Sequence, residues 1–134
     1  MANRGSINKV QIIGNVVKDP EIKETSPGIS RALVYVATNR YWKTEDGGEK
    51  EETQFHKIVA WHKLAEICGK LLTKGRKIYV EGRLSTHEWE TEEGETRREL
   101  EIIMEDLVLL DSRRDKEERD ARNAKEEKKQ VKEE

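Results

Sequence analysis

Cysteine occurs once in these 134 residues, at Cys68, so no intramolecular disulfide can form and no cluster of thiols offers a zinc site. That suits a reducing cytosol. The three histidines, His56, His62 and His87, lack metal-ligand spacing, and no serine or cysteine sits in a recognisable nucleophile motif. Gly47-Gly48 lacks the lysine and spacing of a phosphate loop. These gaps argue against an enzyme, a metal or a cofactor. Apolar runs are also short of the roughly 20 residues of a membrane span, and Met1-Ala2-Asn3-Arg4-Gly5-Ser6 is followed by no apolar signal core. Export and membrane insertion are not expected.

Aromatic residues are scarce too: three Trp, three Tyr and one Phe. Four of the seven lie on strand-like segments beside cations: Trp42 in Asn39-Arg40-Tyr41-Trp42-Lys43, Phe55 and Trp61 in Phe55-His56-Lys57-Ile58-Val59-Ala60-Trp61, and Trp89 in Thr86-His87-Glu88-Trp89. Such placement suits flat ring faces open to single-stranded nucleic acid, whose bases stack on aromatics while cations follow the phosphates. Packing in a core or interface explains strand aromatics equally well from pattern alone. Tyr35 and Tyr79 are expected in or near the core, and Tyr41 fits either role. Lys57 shares a strand face with Phe55 and Trp61, and Arg40 and Lys43 flank Trp42, which makes these three the leading phosphate contacts. Lys9, Arg83, Arg97 and Arg98 are weaker candidates.

Charge of one sign is lacking as well. The segment 112–134 holds nine basic and eight acidic residues, which leaves 17 basic against 20 acidic in residues 1–111, a net charge of −3. Sequence-specific duplex binding usually needs a strongly basic domain and is disfavoured, whereas stacking needs only a local basic groove. With 34% hydrophobic and 40% charged residues, the chain has a modest core and stands to gain stability from self-association.

The length allows one small domain, residues 1–111, and a charged flexible tail, residues 112–134, whose only large apolar residue is Val131. Asp115–Arg119 and Glu118–Arg122 are the tail's i,i+4 pairs. Residues 7–14 alternate as a strand, with Gly14 permitting a bend or bulge from which the strand continues through Asp19-Pro20 to about residue 23. Ser26-Pro27-Gly28 makes a turn. A second strand covers 31–38 and runs out towards Trp42. Asp46-Gly47-Gly48 marks a hairpin tip, and a third strand returns over about 52–61. Leu64, Ile67, Cys68 and Leu71 form a helical stripe that Gly75 is expected to cap. A fourth strand begins at Lys77 and runs through Trp89 to a turn at Glu92-Glu93-Gly94. A fifth covers 97 to about 110, with Leu100, Ile102, Met104 and Asp106 on one face. Three strands, a helix and two strands make an all-β chain with the connectivity of a five-stranded OB-fold Greek-key barrel, the helix between strands 3 and 4. The pattern also allows another small α+β sandwich.

Four segments of the body carry a resemblance: Asn8-Lys9-Val10-Gln11-Ile12-Ile13-Gly14-Asn15 through Asp19-Pro20-Glu21; Thr53-Gln54-Phe55-His56-Lys57-Ile58-Val59; Lys63-Leu64-Ala65-Glu66 through Lys74-Gly75; and Tyr79-Val80-Glu81-Gly82-Arg83-Leu84. In this order and at these distances they resemble the bacterial single-stranded DNA-binding proteins. The resemblance implies a cofactor-free, cytoplasmic, nucleoid-associated barrel that assembles as a homotetramer. It also implies sequence-independent binding of single-stranded DNA in replication, recombination and repair. The family's stacking aromatics fall on Trp42, Phe55, Trp61 and Trp89, Phe55 standing where many relatives have Trp and Trp61 where many have Phe. His56 falls on a histidine of the subunit interface. The family's Gly, Pro and Gln-rich linker and acidic, phenylalanine-ended tip have no match in Lys129-Gln130-Val131-Lys132-Glu133-Glu134, so recruitment of replication and repair proteins by that route is not implied. An accessory protein-interaction module of a replication complex and an RNA-binding OB-fold are the alternative functions.

Overall fold

A computed structural model describes residues 4–111, 120–122 and 124–125 of the chain. The elements in order are β1 (Val10–Val16), β2 (Glu21–Ser26), β3 (Ile29–Lys43), β4 (Glu49–Trp61), α1 (Lys63–Leu71), β5 (Lys77–Glu90) and β6 (Thr96–Leu109). Residues 120–122 and 124–125 have helical backbone; the rest of the expected tail and its two i,i+4 pairs lie outside the described residues.

The strands hydrogen-bond in the order β1-β5-β6-β4-β3, and β3 returns to β1, which closes a five-stranded barrel. Every neighbouring pair is antiparallel except β4 with β6, which is parallel. With one helix between the third and fourth barrel strands, this is the OB-fold connectivity expected from the sequence. The expected first strand is in fact two. The strand ends at Val16, and β2 pairs only with β3, outside the closed ring. No residue of β2 is buried, because Glu21, Lys23 and Glu24 suit a solvated edge rather than a barrel wall.

Alternation decides what fills the barrel. Ile12 and Val16 of β1, Ala32, Val34 and Val36 of β3, Ile58 and Ala60 of β4, Ile78 and Val80 of β5, and Ile102 and Met104 of β6 form one buried cluster. β-branched residues dominate this set, as suits crowded, twisted strands. Tyr35 and Tyr79 fall on the intervening positions and are only half-buried on the outer face, a correction to their expected core placement. Tyr79 accepts a hydrogen bond from Gln11 Nε2 and donates one to Glu81, so its hydroxyl is held at the surface.

Two glycines let backbones cross. A Cβ on Gly14 would lie 2.3 Å from the Ala37 carbonyl oxygen, and one on Gly82 would lie 2.1 Å from that of Ile103. Gly14 sits where β1 leaves β5 and meets β3. Gly82 lies at a register shift: Glu81 pairs with Asp106 but Gly82 with Met104, so Glu105 is an extra residue in β6. The bulge reverses the alternation. Leu107 and Leu109 therefore pack on the core while Asp106, read on one face with Ile102 and Met104, is turned to the other face and exposed. Gly82→Ala is expected to cost roughly 1–3 kcal/mol, since the obstacle is backbone and cannot rotate away; a thermal melt at fixed protein concentration checks this, and an unchanged midpoint refutes it.

The helix also differs in detail. Ala65, Cys68 and Leu72 enter the core, whereas Leu71 of the expected stripe is exposed. The buried stripe is thus rotated about one residue. α1 ends at Leu71, and Leu72, its cap residue, is already extended. Gly75, with φ +90°, serves instead the turn before β5, where its N–H donates to Val16 C=O.

Candidate nucleic-acid interface

Two hairpins run well past the barrel. β3 and β4 stay paired from Arg31↔Trp61 to Lys43↔Glu49, and β5 and β6 from Ile78↔Leu109 to Glu90↔Thr96. Their tips are the turns foreseen at Asp46-Gly47-Gly48 and around Gly94; Gly47 and Gly94 have positive φ, and Thr44 and Thr91 N–H close the turns onto Gly48 and Glu95 C=O. Because β4 and β6 are parallel, both arms leave the same end of the barrel.

On this frame the outward positions of β4 are Phe55, Lys57, Val59 and Trp61. Val59 is covered by its neighbours, and Phe55 is 65% exposed. Cross-strand register places Arg83 opposite Ile103, His87 opposite Glu99 and Trp89 opposite Arg97, all on outward positions of the same sheet. Phe55, Trp61 and Trp89 thus share one face. Trp42 does not: it alternates with Tyr41 and pairs across to Lys50, so it lies on the opposite face of its arm, lining a groove with Tyr41, Lys43, Glu49, Lys50 and Glu51.

Each tryptophan already carries a partner on one side. Arg40 lies over Trp42 at 4.9 Å, Arg31 over Trp61 at 5.8 Å, and the His87 ring stacks on Trp89 with centroids 5.4 Å apart. Such contacts fix ring orientation, and Trp61 also meets the His62 ring, tilted, at 6.4 Å. Arg31 is the residue that sequence reading missed. It is 30 positions from Trp61, and only the β3–β4 register brings the two together.

The cations divide by their partners. Lys57 is tied to Glu99 at 2.9 Å and to Glu101 at 3.9 Å, with its side chain only 16% exposed. Lys9 pairs with Glu81, Arg83 with Glu105, Arg97 with Glu95 and Arg98 with Glu88. The hydrogen bond to Glu81 raises the Lys9 ammonium above its usual value and holds the Glu81 carboxyl below its own. Among the described residues, Arg40 and Lys43 have no such carboxylate partner. The more exposed pairs, those of Lys9, Arg83, Arg97 and Arg98, contribute little and exchange readily.

His56 lies apart from the ring-bearing face, at the barrel mouth. Its Nε2 is hydrogen-bonded to Thr38 Oγ1 at 2.9 Å, and burial lowers its pKa, favouring the neutral ring. It lines a groove with Leu84, Leu100 and Ile102. Leu100, on the same strand face as the buried Ile102, is 61% exposed there, because β6 has by then left the barrel for its arm. Among the described residues no cluster of three or more His, Cys, Asp or Glu is placed to hold a metal ion, and no helix is long and apolar enough to cross a membrane.

Comparison with known proteins matches this arrangement of barrel and arms. Among similar sequences, Single-stranded DNA-binding protein 1 of Chlorobaculum tepidum is 42% identical over 105 residues, which are 78% of this chain but just under two thirds, 65%, of that protein. Single-stranded DNA-binding protein 1 of Xylella fastidiosa is 42% identical over 111 residues, 82% of each chain. Among solved structures, the Plasmodium falciparum SSB complex with ssDNA superposes with a TM-score of 0.73 at 35% identity, over 82% of this chain and all of that one. A deletion mutant of the single-stranded DNA binding protein from Thermus aquaticus gives 0.70 at 32%, over 80% of this chain and 52% of that one. The model of the Single-strand binding protein family matches residues 7–110, the whole barrel with both arms, and the chain belongs to that family.

Proposed function

We propose that this protein binds single-stranded DNA without sequence preference in DNA replication, recombination and repair, stacking bases on Trp42, Phe55, Trp61 and Trp89. The observation that carries the reading is Phe55, exposed on a sheet face shared with Trp61 and Trp89 beside two long arms, in a chain of this family. Aromatic faces and a shallow open sheet suit unpaired bases better than a duplex, whose bases are already stacked. Phosphates are met first by Arg40 and Lys43, with Lys9, Lys57, Arg83, Arg97 and Arg98 contributing once their carboxylate partners are exchanged. The domain is residues 1–111, with 112–134 as a charged tail, and the chain acts in the cytoplasm on nucleoid DNA.

The active form is a homotetramer. Register aligns Ile13, Tyr79 and Val108 across β1, β5 and β6 on the outer face, where Ile13 and Val108 are exposed. A second surface, a groove at the barrel mouth, sets Leu84, Leu100 and Ile102 beside His56 and is bordered by Gln54, Phe55, Lys57 and Glu101. Two such surfaces on one small barrel support association through two distinct contacts, with His56 in the second. Light scattering should return the mass of four chains.

Titrating intrinsic tryptophan fluorescence with poly-dT, poly-rU and duplex DNA at two salt concentrations tests the ligand. Poly-dT is expected to bind tightest with a marked salt dependence, and a preference for duplex would overturn the reading. Trp42→Ala alone should lose roughly 1–3 kcal/mol of binding without unfolding the barrel; unchanged affinity refutes its stacking role.

A further inference from the structure

Lys57 stands on the ring-bearing face between Phe55 and Trp61, where a phosphate contact would be most useful, yet its charge is already engaged. Glu99 holds the ammonium at 2.9 Å, and Glu101 lies 3.9 Å away with a side chain only 9% exposed. One oxygen of Glu101, Oε2, is buried with no hydrogen-bond partner. A carboxylate that deep needs a nearby positive charge, so Glu101 accounts for a cation at this place. It does not account for Glu99. Glu99 is 44% exposed and lies on β6 in the β5–β6 arm, so of the two carboxylates it is the one that solvent, and a ligand phosphate, can reach.

We propose that Glu99 is an intramolecular competitor for the nucleic-acid phosphate. Its carboxylate occupies Lys57 in the free protein and must be displaced before that lysine can contact the ligand. The inference rests on the single-stranded DNA reading and deepens it: binding at this point is an exchange of one anion for another. Removing the Glu99 charge frees Lys57 from the carboxylate that a ligand can reach and leaves the buried Glu101 still partnered. The freed lysine then neutralises a phosphate and adds one counterion to those released, so affinity rises and its salt dependence steepens.

The test is a double-mutant cycle, read by anisotropy of labelled oligo-dT over a salt series. Glu99→Gln is expected to tighten binding about 3- to 10-fold at low salt and to steepen the slope of log K against log[salt] by about 0.7, the value for one phosphate on a single strand. In a Lys57→Met background the same change should alter affinity less than about two-fold. Lys57→Gln, whose amide can still donate to Glu101, supplies a second neutral background should the first fold poorly. An equal gain in wild-type and neutral backgrounds overturns the inference, because the carboxylate would then act only through bulk charge. Unchanged affinity in Glu99→Gln overturns it as well. Either result leaves the ligand assignment intact, whereas a wild-type chain that binds no oligo-dT removes both.

Discussion

Replacing Phe55 and Trp61 together by alanine is expected to weaken oligo-dT binding by roughly 2–6 kcal/mol, the sum of two stacking platforms at about 1–3 kcal/mol each. The two side chains are six positions apart on β4, about 20 Å along an extended strand. At that distance their contributions should add. Neither belongs to the buried cluster of the barrel, so the double variant should keep its fold. Trp61 does partly cover neighbours and rests against Arg31, and its removal releases that guanidinium into solvent. Anisotropy of labelled DNA is the appropriate readout, since the substitution deletes one of the chain's own three fluorophores. A double variant that binds within two-fold of wild type, with an unchanged melt, would show that this face of the sheet does not hold bases.

Arg76→Ala is expected to destabilise the domain by about 3–5 kcal/mol, the usual cost of breaking a buried ion pair from one side. Arg76 Nε donates to Asp111 Oδ1 at 2.9 Å, with side chains 10% and 6% exposed, and its Nη1 donates to Leu71 C=O at the end of α1. Truncation takes the guanidinium away from the Asp111 carboxylate and removes the Arg76 donor from the Leu71 carbonyl at the helix end. The pair also ties the residue after β6 to the start of β5, where Lys77 N–H donates to the other Asp111 oxygen. Arg76→Met combined with Asp111→Leu removes both charges and should recover most of the loss. Urea unfolding at fixed protein concentration measures both variants, and a single variant within 1 kcal/mol of wild type would mean that the carboxylate finds water or another donor.

Much of the barrel was legible because burial imposed a period on it. Val34, Val36, Ile78 and Val80 alternate with exposed or half-exposed neighbours, and that signal survives in the residue types. The failures fall where local pattern stops reporting tertiary contact. Glu105 inserts one residue and reverses the faces of β6 beyond it; nothing in its side chain announces a bulge. Gly75 is a good helix terminator by type, but the burial of Leu72 decides where α1 ends. In the arms both faces meet solvent, so alternation carries no record of which side is which, and Trp42 and Phe55 cannot be sorted without register. The four rings of the candidate site were readable as types beside charges. Arg31 against Trp61, and Glu99 and Glu101 against Lys57, were not, since each comes from another strand.

The ring of strands is unevenly fastened. β4 meets β6 over only two residue pairs, and β1 meets β3 over two, while the other three seams are long antiparallel ladders. Mechanically the barrel is therefore two stiff plates hinged along two brief zippers, with one arm rooted in each plate. The Lys57 bridge to Glu99 and Glu101 spans one of those zippers, so part of what joins the two plates there is an ion pair rather than a ladder.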